Sequence, residues 1–136
     1  MTLKRMDNVG IVVESLDIAI SFFAELGLKL EGRATIEGEW AGRVTGLGNQ
    51  QVEIAMMVTP DGHSRLELSR FLTPPVVADH RNAPVNALGY LRVMFTVYDL
   101  DETLASSTRA ARSSSARWFS TRRRTGSATS AAPKDS

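Results

Sequence analysis

A chain of 136 residues, 43% of them apolar, is long enough for one ordinary domain or for two small half-domains sharing a core. It contains no cysteine, which excludes a disulfide framework, a thiolate nucleophile and a Cys-based zinc site, and no run of 18 apolar residues, so no membrane-spanning helix is expected. The net charge of +1 conceals two kinds of sequence: residues 1–104 carry 9 Lys and Arg against 14 Asp and Glu, whereas residues 105–136 carry 7 against 1.

The first five residues, Met1 to Arg5, hold two positive charges but run straight into strand-like sequence, unlike a secretory signal, so a cytoplasmic location is expected. Residues 6–13 read as a buried strand. Ser15 is suited to cap a helix, and behind it Leu16, Ala19, Ile20, Phe22, Phe23 and Leu26 recur at helical spacing. Gly27 reads as the residue that stops it. Leu28 to Ile36 alternates apolar and polar residues as a strand does, and Glu37 to Asn49, with four glycines and Trp40, reads as a long loop. Gln51 to Val58 is a further β-rich run, in which only one of the neighbours Met56 and Met57 can face a cavity. Pro60-Asp61-Gly62 is a strong turn signal. Ser64 to Phe71 then returns as the hairpin partner, with Leu66, Leu68 and Phe71 expected inward and Arg65 and Glu67 on the opposite face.

Residues 1–72 therefore form a strand, helix, strand, strand, strand module, and residues 73–89, with three prolines, form a linker. Past the linker the opening pattern returns. Val12-Val13-Glu14-Ser15-Leu16-Asp17 and Thr96-Val97-Tyr98-Asp99-Leu100-Asp101 share a pattern at a fixed offset of 84, each behind a β-type apolar run. The second copy spans residues 90–104 and does not finish. Beyond Leu104 there is no Leu, Ile, Val or Met, so residues 105–136 cannot supply the buried faces of three further strands. They read either as a disordered basic tail or as the product of a slipped coding frame near residue 105. A nucleic-acid partner is not expected: the tail has no aromatics beyond Trp118 and Phe119, and the rest of the chain is acidic.

Asn8-Val9-Gly10-Ile11-Val12-Val13-Glu14-Ser15-Leu16-Asp17, followed by Phe22-Phe23-Ala24-Glu25-Leu26-Gly27-Leu28, resembles the opening of the vicinal oxygen chelate superfamily. That group includes glyoxalase I, bleomycin-resistance proteins and type I extradiol dioxygenases. Leu66-Glu67-Leu68 resembles its fourth-strand signature, and Tyr90 to Asp101 the start of its second module; the resemblance covers roughly residues 6–104. It implies an α+β fold of paired βαβββ modules around one cavity, in which side chains from the modules hold a divalent metal. Carried over by position, the ligand that is usually His falls on Asn8, the usual Glu on Glu67, and the second module's usual His on Arg92. The fourth position would lie on a strand that this chain lacks.

Asn offers an oxygen to hard cations but serves zinc, nickel or iron poorly, and Arg has no lone pair to give. Glu67 is thus the metal or proton-handling candidate only if a metal binds. Without one, Arg92 is expected to pair with Glu67 or to meet an anionic ligand. His63, after the turn, and His80, in the linker, have no companions to complete a metal or catalytic triad. Trp40 on its Gly-rich loop is a candidate ligand lid or a packing residue, and Met56 a candidate cavity residue or core filler. Two functional classes stay open. The expectation is a metal-free binder of a small organic molecule in the inter-module cavity, using Asn8, Arg92, Trp40 and Met56, with no cofactor. The alternative is a divalent-metal lyase, isomerase or dioxygenase with Glu67 as its catalytic residue. The resemblance also implies a homodimer.

Overall fold

A computed structural model of the chain describes residues 2–38, 49–114, 120–124 and 127–131. They divide into two compact units, Met1–Val76 and Val77–Ser136. In the first unit β1 (Val9–Val12), α1 (Leu16–Glu25), β2 (Lys29–Gly38), β3 (Gln50–Val58) and β4 (Arg65–Thr73) follow one another, the module expected from the sequence. The strands lie in the order β1-β4-β3-β2, with β1 parallel to β4 and the other neighbours antiparallel.

Alternation along the strands sorts this sheet into two faces. Met57 opposes Leu66 and Ala55 opposes Leu68, and all four are buried. Helix α1 packs on the sheet through buried Leu16, Ala19, Phe22 and Phe23, the last two meeting edge to face with ring centres 5.2 Å apart. This is the core of the unit, and it follows from the helical spacing of those four residues. Phe71, expected inward with Leu66 and Leu68, instead opposes Val52 on the other face. Phe71 lies three positions after Leu68, and an odd offset on an unbroken strand puts the two side chains on opposite sides.

The helix begins and ends as its sequence dictates. Ser15 accepts a hydrogen bond from the Ile18 amide at 3.3 Å. At the other end Gly27 adopts a φ of 104°, its amide donates to the Ala24 carbonyl, and the Leu28 amide reaches back to that of Phe23, both at 3.0 Å. That is the paired closure of a Schellman motif, with buried Leu28 completing it. A Cβ on Gly27 would find Pro60 at an ordinary 3.9 Å, so the cost of adding one is conformational. Gly27→Ala should destabilise the unit by about 1–2 kcal/mol, measured by urea unfolding; an unchanged midpoint would show that the helix end does not need the left-handed residue.

The β3–β4 hairpin turns through Pro60-Asp61-Gly62. Thr59 and Ser64 close it, the Thr59 amide donating to the Ser64 carbonyl at 2.9 Å. The Asp61 carboxylate accepts from the Thr59 hydroxyl at 2.6 Å and the His63 amide at 3.0 Å, and these bonds hold its pKa below the usual carboxylate value.

In the second unit the linker runs through a series of turns. Its turns are closed by Ala83 to His80, Ala87 to Pro84 and Tyr90 to Ala87, each amide donating to the carbonyl. Then come β5 (Arg92–Thr96), α2 (Leu100–Ser114), β6 (Ser120–Arg124) and β7 (Ser127–Ala131), the strands forming an antiparallel sheet in the order β5-β7-β6. The internal repeat is visible in the hydrogen bonds. Asp99, 84 residues after Ser15, caps α2 by accepting from the Glu102 amide at 3.0 Å, and its carbonyl accepts from Thr103 as that of Ser15 does from Ala19. Two further strands lie within residues 105–136.

Candidate functional site

The face of the first sheet opposite α1 carries several of the candidate site residues. Glu67 on β4 stands between Gly10 on β1 and Met56 on β3, and Met56 is followed by Gly32 on β2. The next row along the strands is Val12, Ser69, Ile54 and Ala34, and the one after holds Phe71, Val52 and Ile36. Asn8 immediately precedes β1 and by alternation shares this face. The sheet therefore gathers Asn8, Glu67 and Met56 on one surface, with Met57 turned into the core, as the alternation of the two methionines required.

Two cations belong to the same face. Arg65, two residues before Glu67, is held by a fork: its Nε and one terminal nitrogen donate to the Glu31 carboxylate at 3.0–3.1 Å. A register shift between Leu30 and Gly32 makes Glu31 the extra residue of a bulge, which frees it for this bond. The pair lowers the Glu31 pKa and raises that of Arg65. Lys29 opposes Val58 at the β2 edge and makes no ion pair with Glu67.

Arg92 belongs to the second unit. One of its terminal nitrogens donates to the Val85 carbonyl at 2.9 Å, tying β5 to the linker. Trp40 lies outside the described residues. His63 is an exposed turn residue. The carbonyl of His80 accepts the Ala83 amide, and the neighbouring Asp79 is drawn down to a pKa of about 2 by the Arg81 guanidinium. Among the described residues no group of three or more His, Cys, Asp or Glu could hold a metal ion.

A separate cleft lies at the N-terminus of α1, lined by Glu14, Ser15, Asp17, Arg33, Glu53 and Arg70. The sequence does not reveal it, because its residues come from four elements. Its arginines are already spent, Arg33 on Asp17 at 2.8 Å and Arg70 on Glu53 at 2.9 Å, and it holds none of the residues expected in a site.

The fold and this face define a βαβββ module with a partial repeat. A solved crystal structure, that of a glyoxalase family protein from Bacillus cereus, is 78% identical to this chain, covering 80% of this chain and 73% of that one, with a TM-score of 0.76. The chain belongs to the glyoxalase family, consistent with the resemblance to the vicinal oxygen chelate superfamily. No protein-family model and no curated protein matches it. No helix among the described residues is long and apolar enough to cross a membrane.

Proposed function

We propose that this glyoxalase-family protein binds a small organic molecule on the sheet face around Glu67, without a metal of the family type. The reading is carried by the donor chemistry of that face: the positions that the family resemblance makes ligands hold one carboxylate, Glu67, and one amide, Asn8. An amide oxygen and a single carboxylate do not make a set that retains zinc, nickel or iron. The residues therefore do not fit the metal, and no chemical step is assigned to one. Apolar Met56, Ile54 and Ile36 would receive the body of the ligand, with Asn8 supplying hydrogen bonds.

The test is metal analysis of the purified chain after dialysis against nickel, zinc, iron or manganese. Substoichiometric metal is expected, with no effect of chelator on the unfolding midpoint. One tightly held ion per chain, lost in Glu67→Ala, would overturn the proposal. It would install the second reading, a metal-dependent lyase, isomerase or dioxygenase, which the family name of the Bacillus cereus protein favours. Cytoplasmic location and a homodimer, twice the 14.8 kDa chain in sedimentation, complete the proposal.

A further inference from the structure

We infer that the Glu67 face selects organic cations: its carboxylate would pair with the ammonium group of a ligand whose apolar body lies along Met56 and Ile54. This rests on the proposed role as a small-molecule binder and adds the charge of the ligand.

The observation behind it is how the charges of the first unit are spent. Each described arginine there is committed, Arg5 to Asp7 at 2.7 Å, Arg33 to Asp17, Arg65 to Glu31 and Arg70 to Glu53. The remaining carboxylates are engaged too. Glu37 accepts from Gln51, Asp61 from Thr59, and Glu14 and Glu25 also interact. Among the described carboxylates of this unit, Glu67 is the one that makes neither an ion pair nor a hydrogen bond. It is not on the rim, where solvation would explain that. It is half-buried on an inner strand, and the side chains beside it, Gly10 and Met56, have nothing to donate.

A fixed negative charge beside apolar surface favours a ligand that brings its own cation and repels one that brings an anion. The cations already on the face do not neutralise it: Arg65 is forked onto Glu31, and Lys29 is two strands away, roughly 10 Å across the sheet from Glu67. There is also room. A Cβ at Gly32 would meet nothing within 4 Å, and one at Gly10 only the Glu67 carbonyl at 4.0 Å, so the row through Glu67 and Met56 is open at both ends.

The full-length chain is titrated at neutral pH with phenylpropylammonium, phenylpropanol and phenylpropanoate, which share one apolar body, and followed by amide chemical shifts. The ammonium compound is expected to bind about tenfold more tightly than the alcohol, and the carboxylate least, with shifts centred on Met56, Ile54 and Glu67. Glu67→Gln should bring the ammonium compound to within about twofold of the alcohol. Met56→Lys, which sets an ammonium directly opposite Glu67, should likewise abolish the preference for the ammonium compound over the alcohol and serves as an independent variant. Equal binding of ammonium and alcohol, or a preference that survives Glu67→Gln, would overturn the inference and leave the binder proposal standing. Binding of none of the three would overturn the binder proposal and this inference with it.

Discussion

Phe22→Ala will cost the first unit about 3–5 kcal/mol, a large share of the roughly 5–15 kcal/mol that holds a small domain together. Phe22 is 1% exposed and sits where α1 meets the sheet, with the Phe23 ring edge-on to it. Its removal deletes the largest apolar surface the helix buries, loosens the ring pair and leaves a void that Met57 and Leu68, themselves fully buried, are not free to fill. Urea unfolding followed by far-ultraviolet circular dichroism measures the loss. Ile18→Ala, one turn earlier on the same helix but 37% exposed, is the comparison and should cost under about 1.5 kcal/mol. If the two variants lost the same amount, α1 would not be packed on the sheet through its Phe22 face, and the assignment of the opposite face as the free one would fall with it.

Much of this arrangement was legible in the residues because it is local or periodic. Ser15, Gly27 and Pro60-Asp61-Gly62 act within a few residues of themselves, and each does in the structure what its chemistry demands. The repeat at offset 84 reappears as two caps built from the same hydrogen bonds. The features that escape the sequence depend on one-residue shifts and on distant pairings. Counting from Leu68 settles where Phe71 faces, yet its apolar character suggested the core. The bulge at Glu31 cannot be seen in a hydrophobic pattern, because it changes which partner a residue opposes and not which residues are apolar. Of the site, the family resemblance pointed to Asn8 and Glu67, and strand alternation required that only one of the two methionines face a cavity. Neither could show that Glu67 is left without a partner, since that depends on where Arg65 and Arg70 go, and their carboxylates are 34 and 17 residues away.

The amides of β6 and β7 will exchange with solvent about a thousandfold faster than those of β3 and β4. β7 is hydrogen-bonded to β5 and β6 to β7, but backbone bonds alone do not hold a small sheet; an apolar face must be buried. Ser-Thr-Arg-Arg-Arg and Ser-Ala-Thr-Ser-Ala supply none. The offset shows where the sequence changes character. Leu16 has its counterpart in Leu100 and Ile20 in Leu104, but Phe22 and Phe23 fall on Ser106 and Ser107, and Gly27 falls on Ala111. Accordingly α2 has no stop where α1 has one and runs on to Ser114, and Ser107, though 2% exposed, turns its hydroxyl back onto the Leu104 carbonyl at 3.1 Å. A slip of the coding frame near codon 105 would produce this change, and the repeat states what the correct frame must encode. One of the other two frames should place large apolar residues at 106 and 107, a glycine near 111 and an alternating strand from about 113, and protein made from it should bring the exchange of the second sheet into the range of the first. If neither frame carries that pattern, the slip is excluded; if β6 and β7 in the present chain exchange as slowly as β3 and β4, an apolar face is not what holds them.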